Sequence, residues 1–133
     1  MFLKKSFIKK LAIATFIGIV ILGSVGCSST KANSEPAYEI YPTENVWNLL
    51  ELDTRTGIIF QVQYGINEKG GRMKTSVNSK PLVDESQAEN GRFKLYPTQN
   101  MYNFILLDQI DGRTWQVQWS TEPENRGIVA EIK

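Results

Sequence analysis

The chain carries the same unit twice, and this duplication constrains its fold more than any other feature. Residues 38–64 align with residues 93–119 without a gap at an offset of 55, and 11 of the 27 positions are identical. Many of the remaining differences preserve character, as where Phe60 aligns with Trp115. A repeat of this kind indicates an architecture built from two copies of one supersecondary unit.

Each copy has the pattern of short antiparallel strands. A proline ends the first strand, a Thr-x-Asn turn follows, and an Asp-x-x-x-Gly loop joins the second and third strands. The third strands alternate strictly between aromatic or valine residues and glutamines. A fourth strand is expected to close each unit. The predicted strands cover residues 38–41, 47–53, 59–64, 72–77, 93–96, 102–108, 114–119 and 126–132.

These patterns predict an all-β domain, an internally duplicated antiparallel meander of about eight strands. We find no convincing amphipathic helix after residue 30. A small barrel and a two-sheet sandwich both remain open, because both use the same alternation of apolar and polar residues. The predicted domain spans residues 38–133, with repeat one at about 38–77 and repeat two at about 93–132.

The first 26 residues have the pattern of a targeting segment. Four lysines precede a largely apolar run over residues 11–25. That run is shorter than the roughly 20 residues that a membrane-spanning helix needs, so it fits a secretory signal better. Residues 27–37 are polar and contain a proline, which predicts a flexible tether between this segment and the domain.

Small residues precede the single cysteine, Cys27, and this junction resembles a bacterial lipoprotein signal. The resemblance implies cleavage after Gly26 and lipidation of Cys27. Ser24 stands where that family usually has a leucine-like residue, so an ordinary signal-peptidase site and an uncleaved anchor are the alternatives. The predicted location is the bacterial cell envelope, lipid-anchored on the periplasmic or surface side, or else soluble in the periplasm or medium.

The composition excludes several function classes. The sequence has no histidine, the commonest metal ligand and general base, and Cys27 lies outside the repeats. From Cys27 onward, 11 basic residues face 14 acidic ones, a net charge of −3, which argues against nucleic acid as a partner. We find no phosphate loop or nucleophile motif, and we predict no cofactor and no metal.

Asp53 and Asp108 occupy equivalent positions in the two copies. They could form a carboxylate pair for acid–base chemistry, and Asp108 with Asp111 could suggest a calcium loop. The shared turn context instead favours an Asx turn in each hairpin, and Thr56 replaces the second aspartate in the first copy. We therefore predict that the protein is not an enzyme.

The glutamines of the third strands are candidate ligand-binding residues. If the aromatic side chains fill the core, these amides face water and could bind a sugar or a peptide. The tyrosines of the two Tyr-Pro corners sit at strand ends, where an exposed ring could contact a partner. The predicted binding residues are Gln61, Gln63, Gln116, Gln118, Tyr41 and Tyr96.

Two resemblances bear on these expectations. The Leu-Asp-x-x-Thr-Gly-x-x-aromatic stretch at residues 52–60 resembles the hairpin of tryptophan-docking propeller blades. Two blades cannot close a propeller, so that fold would require oligomerisation, and a barrel or sandwich is the preferred expectation. The YPTxN and LLDxxxGxxWQVQ motifs also resemble short secreted or lipid-anchored envelope proteins of Bacteroides-like bacteria, which implies a cell-envelope setting.

Together these features predict a non-catalytic binding or structural module of the bacterial cell envelope. Its partners would be the membrane, through the lipid anchor, and an envelope protein or glycan. The alternative is an inhibitor or immunity protein against a hydrolase or toxin. That alternative predicts a protruding loop, with residues 77–92 as the candidate.

Overall fold

A computed structural model describes residues 34–133, and these form eight strands and two short 3₁₀ turns. The predicted lipidation site Cys27 lies outside the described residues. The first four strands are β1 (Tyr38–Pro42), β2 (Asn48–Asp53), β3 (Ile59–Gln63) and β4 (Met73–Asn78). The second four are β5 (Phe93–Pro97), β6 (Asn103–Asp108), β7 (Thr114–Gln118) and β8 (Gly127–Ile132).

Each repeat forms one antiparallel meander. The strand order is β1-β2-β3-β4 in the first sheet and β5-β6-β7-β8 in the second. The all-β prediction is confirmed, and the eight strands divide between two separate four-stranded sheets in a sandwich-like arrangement. A register shift interrupts the last pairing of each sheet, between β3 and β4 and between β7 and β8.

The hairpin loops have the predicted chemistry. The Asp53 carboxylate accepts the backbone N–H of Arg55 at 3.0 Å, and the Asp108 carboxylate accepts that of Ile110 at 2.9 Å. Each loop then closes on a glycine, Gly57 or Gly112, whose φ is 78°. These two aspartates therefore build turns, as the repeated context predicts.

The two sheets share one hydrophobic core. Strand β2 lies against β5, and β4 against β8. The Arg126 guanidinium on the second-sheet side donates to the Thr75 hydroxyl of β4 at 2.9 Å. The core residues are Leu50, Leu52, Ile59, Val77, Val83, Phe93, Leu95, Phe104, Leu106, Trp115, Val117 and Trp119.

The repeats bury opposite faces, which the sequence did not lead us to expect. In β7, Trp115 and Val117 point into the core, as predicted. In β3 the buried positions are Ile59 and Gln61, whereas Phe60 is only partly buried. The prediction that all four glutamines face water is therefore wrong for Gln61, whose side chain is completely buried. We call the face of the unit that carries Gln61 or Gln116 its front and the opposite face its back. The front of the first sheet therefore packs on the back of the second sheet.

The connection between the repeats packs against the domain. Val83 is buried, and the Leu82 N–H donates to the Thr56 carbonyl at 2.8 Å. A 3₁₀ turn at Glu85–Gln87 follows, and Arg92 at the end of the connection is buried. The segment that an inhibitor would extend into its target is thus anchored on the domain at Leu82, Val83 and Arg92, whereas residues 84–87 are exposed.

The segment preceding β1 is tied to the first hairpin loop. The buried Thr54 hydroxyl donates to the Pro36 carbonyl at 2.6 Å, and the Thr54 N–H donates to the Ala37 carbonyl at 3.0 Å. The same hydroxyl accepts the Gly91 N–H at 3.0 Å. One threonine therefore connects the end of the predicted tether, the first sheet and the inter-repeat connection.

Candidate functional site

A well-formed cleft lies where β2 begins and β3 ends. Its volume is about 500 Å³, within the range of small-molecule sites. We call it the first cleft. It is lined by Asn45, Trp47, Asn48, Gln63, Tyr64, Gly65, Ile66, Asn67, Gly70, Gly71 and Thr121. All but Thr121 come from repeat one, so the site belongs mainly to one copy of the unit.

The same site exists a second time. A cleft of about 310 Å³, which we call the second cleft, lies at the corresponding end of the second sheet. It is lined by Asn100, Tyr102, Asn103, Gln118, Ser120 and Asn125. The first five of these residues are offset by 55 from residues of the first cleft. The duplication has therefore preserved a pair of equivalent concave sites.

The Thr-x-Asn turn shapes one wall of each cleft. In the first copy the Thr43 hydroxyl donates to the Asn48 carbonyl at 2.8 Å, and the Asn45 carboxamide oxygen accepts the Trp47 N–H at 2.9 Å. In the second copy the corresponding distances, from Thr98 to Asn103 and from Tyr102 to Asn100, are 2.9 and 3.0 Å. The turn thus fixes the backbone position of the aromatic residue that lines each cleft, Trp47 or Tyr102.

A glutamine on the third strand orients an asparagine in each cleft. The Gln61 amide donates to the Asn48 carboxamide oxygen at 2.7 Å, and the Gln116 amide donates to that of Asn103 at 2.8 Å. With its oxygen bonded to Gln61, the Asn48 carboxamide points its NH₂ group the other way, and that group donates to the Asn45 carboxamide oxygen at 3.1 Å. Gln61 and Gln116 therefore act as positioning residues.

An aromatic pair accompanies each cleft. The Trp47 and Tyr64 rings meet edge to face with centroids 5.7 Å apart, and both residues are exposed. In the second copy the Tyr102 and Trp119 centroids are 5.4 Å apart. Trp119 is fully buried, and its indole N–H donates to the Met101 carbonyl at 2.7 Å. The first cleft consequently presents two aromatic residues to solvent and the second presents one.

The side chains that line both clefts within residues 34–133 are uncharged. They are carboxamides, hydroxyls, aromatic rings and, in the first cleft, the aliphatic Ile66, with glycine backbone at Gly65, Gly70 and Gly71. Such a surface can stack against an apolar face and exchange hydrogen bonds with hydroxyl or amide groups. A charged ligand would find no countercharge among these lining side chains.

The structure separates the six predicted binding residues. Gln63 and Gln118 line the two clefts, whereas Gln61 and Gln116 do not line them and contact them through Asn48 and Asn103. Tyr96 is exposed, as expected for a Tyr-Pro corner.

Tyr41 differs from Tyr96, because it packs against the core and its hydroxyl donates to Glu39. Burial, reinforced by that hydrogen bond, raises the pKa of the Tyr41 phenol well above its usual range. Tyr41 is therefore not the exposed ring that the corner motif predicted.

Sequence reasoning missed the asparagines and aromatic residues of the clefts. Asn45 and Asn48 were available as a signal, because both recur in the second copy as Asn100 and Asn103. The expectation that the aromatic side chains fill the core does not hold for Trp47, which is exposed. A strand-end position offers less cover than a strand centre, and Trp47 precedes the first residue of β2.

The two hairpin aspartates, Asp53 and Asp108, stabilise the turns. Hydrogen bonds and the charge of Arg55 lower the pKa of Asp53 below its usual value, although burial acts in the opposite direction. Within residues 34–133, no group of three or more acidic or other metal-ligating side chains is arranged to hold a metal ion.

No protein-family model matches the chain, and the searches of curated proteins and of solved structures also give no match. Within the part of the chain that the structure describes, no helix is long and apolar enough to cross a membrane.

Proposed function

We propose that the protein is a non-catalytic binding module of the bacterial cell envelope, anchored through a lipidated Cys27, whose two equivalent clefts bind neutral glycan chains. The observation that carries this proposal is the recurrence of one cleft in both repeats. Five lining positions correspond at the offset of the duplication, including Gln63 with Gln118 and Asn48 with Asn103.

The chemistry of the lining favours a sugar over other ligands. A sugar ring presents an apolar C–H face that stacks on an aromatic ring, and hydroxyls that pair with carboxamides. Trp47 and Tyr64 supply the first kind of contact, and Gln63 and Asn67 the second. The uncharged lining matches a neutral ligand, because an ionised group would lose its hydration without gaining a counterion.

Two clefts on one rigid domain also support binding to a repeating polymer. Weak sites gain apparent affinity when one chain engages both, because the second contact is intramolecular. A long glycan offers the same group many times, which suits two sites of the same chemistry. A lipid anchor would keep such a domain close to envelope polysaccharide.

Binding is tested by titrating the domain with a panel of neutral oligosaccharides while recording tryptophan fluorescence. Trp115 and Trp119 are buried and Trp47 is 37 % exposed, so a ligand in the first cleft should alter mainly the Trp47 signal. Trp47→Ala and Tyr102→Ala should each weaken binding measured by calorimetry. Ile110→Ala, an exposed change on a hairpin remote from both clefts in sequence, is the control and should leave binding intact.

The anchor is tested separately from the clefts. The mass of the N-terminal peptide from host membranes should equal that of an acylated cysteine at Cys27. A Cys27→Ser variant should leave the membrane fraction while keeping its sugar binding. A free amino terminus in the soluble fraction would overturn the proposed lipid anchor. Equal sugar affinity in the wild type, Trp47→Ala and Tyr102→Ala would overturn the proposed role of the clefts.

A further inference from the structure

The free faces of the domain are the repeat equivalents of its buried faces. The first sheet turns Leu50, Leu52 and Gln61 towards the second sheet, and the second sheet presents the equivalent Ile105, Leu107 and Gln116 on its open side. The second sheet in turn buries Phe104, Trp115 and Val117. Their equivalents on the open side of the first sheet are Leu49, Phe60 and Val62.

This relationship defines a head-to-tail contact. If the two repeats were related by a two-fold axis, the same face of each sheet would be buried. The two open faces would then also be equivalent to each other, and neither would match a face that is buried inside the chain. A front-to-back contact instead leaves one free front and one free back. Most of their residues match the types that already pack together inside the chain, with Glu51 in place of the buried Leu106 as the main exception. Contacts of this class generate rings when the rotation closes.

We propose that the protein assembles head to tail with further copies of itself, the open face of the first sheet packing on the open face of the second sheet of the next copy. Two to four copies would form a closed ring of about four to eight four-stranded units, the range in which such sheets close around an axis. The partner is thus a second copy of this chain, and the contact between copies would repeat the geometry of the interface between the two sheets of one chain.

Exposed apolar residues lie where the contact needs them. Ile40, on the open side of the first sheet, is 53 % exposed, and its equivalent Leu95 is in the core. Tyr96, on the open side of the second sheet, is 41 % exposed, and its equivalent Tyr41 packs against the core beside the Leu95 backbone. In the assembly, Tyr96 of one copy would lie beside Ile40 of the next.

The assembly would also complete the second cleft. Thr121, from the second repeat, lines the first cleft from across the sheet interface. The residue 55 positions earlier is Ile66, which is 82 % exposed. In a head-to-tail contact Ile66 of the neighbouring copy takes the place beside the second cleft that Thr121 takes beside the first.

The charges on the open face of the first sheet are compatible with being covered. Glu51 accepts a hydrogen bond from the Lys74 ammonium at 2.5 Å, and that ammonium lies 4.6 Å from the Phe60 ring centroid. Glu51 and Lys74 already pair with each other, so a neighbouring copy would cover them as a pair. On the open face of the second sheet, Lys94 makes no ion pair within residues 34–133, so its ammonium must reach the solvent at the edge of the contact.

Thiol cross-linking of the full chain in host membranes tests the proposal. Cys27 is the single native cysteine, so the wild type sets the background. The variant carrying both Ile40→Cys and Tyr96→Cys, treated with a short bismaleimide, should give a ladder that ends at a fixed number of copies between two and four. Each single variant should stay at background, because a head-to-tail contact never places two copies of one position together.

A matched substitution controls for chance collisions. Adding Val62→Glu to the double-cysteine variant should abolish the ladder, and adding Glu44→Gln, an exposed residue in the β1–β2 turn, should preserve it. Circular dichroism checks that each variant is folded. Only monomer from the folded double variant, or dimers from either single variant, would overturn the proposal. The proposed sugar binding is independent of this result, because the first cleft is formed by one chain.

Discussion

Arg92 and Asp108 form a buried ion pair that joins the inter-repeat connection to the second hairpin. The Arg92 Nε and Nη2 atoms lie 3.0 and 2.8 Å from one carboxylate oxygen of Asp108. The Arg92 side chain is 7 % exposed and that of Asp108 is fully buried. Arg92 also donates to the Gln87 carbonyl at 2.9 Å, so the guanidinium holds the connection in place.

Removing Arg92 should strongly destabilise the domain. Arg92→Ala would leave the Asp108 carboxylate buried with fewer partners, and we expect a loss of about 3–5 kcal/mol in the free energy of unfolding. Arg55→Ala is the matched control, because Arg55 pairs with the equivalent Asp53 but is 36 % exposed. Its loss should be about 1 kcal/mol or less in urea denaturation. Equal losses for the two variants would contradict the difference in burial.

The two hairpin glycines should differ in their tolerance of a side chain. Gly57 and Gly112 share a φ of 78°, so valine at either position adds backbone strain of about 1–3 kcal/mol. A Cβ at Gly57 would also lie 2.9 Å from a Leu82 methyl carbon, whereas at Gly112 it would meet nothing within 4 Å. Thermal unfolding should therefore show a larger loss for Gly57→Val than for Gly112→Val. An unchanged melting temperature in both would contradict the hairpin geometry.

Asp53 should make part of the stability depend on pH. Its pKa in the folded chain is lower than its ordinary value of 3.8, through the hydrogen bonds and charge of Arg55 that outweigh burial. A lowered folded pKa contributes stability above the unfolded pKa, and this contribution disappears as the pH falls through the folded pKa.

Chemical denaturation across pH 7 to pH 2 measures this contribution. Asp53→Asn should be less stable than wild type at neutral pH, and the difference should shrink as the pH drops below about 4. Glu68→Gln is the control, because Glu68 is exposed and makes no ion pair within residues 34–133. A difference that stays constant with pH would contradict the role of the Asp53 charge.

Val62 and Val117, at equivalent positions of the two repeats, should contribute differently to the free energy of unfolding, because the two sheets bury opposite faces. Val117 is fully buried, and Val62 at the same place in the first repeat is only partly covered. Val117→Ala removes two methyl groups from the core and should cost about 2 kcal/mol or more. Val62→Ala should cost less than about 1 kcal/mol at protein concentrations where the chain is monomeric. Equal costs in urea denaturation would contradict the assigned faces.

Much of the fold was predictable from local pattern. Pro42, Gly57 and the alternation of β7 mark strand ends, loops and faces through backbone chemistry that acts within a few residues. The face that β3 buries was not predictable in this way. Phe60 and Gln61 compete for the core, and the outcome depends on which side of the first sheet meets the second, a long-range fact that no short pattern records.

The candidate site was predictable in part. Gln63 and Gln118 were identified because both copies keep them on the strand face that the alternation of aromatic and polar residues predicts to face water. Trp47 was not, because an aromatic residue beside a strand is usually a core residue. Its ring lines the first cleft together with glycines of the longer loop at residues 65–72, a neighbourhood that the local pattern around Trp47 does not record.

The front-to-back stacking gives the domain a direction. Its two open faces differ in chemistry although they derive from one repeated unit: the first sheet presents Phe60 and Val62, and the second presents Ile105 and Gln116. A further copy of the unit joined to either end would find a surface already shaped to receive it. Gain of whole units is therefore a change in length that this architecture accommodates readily, whereas insertion within a strand would disrupt the register on which every interface depends.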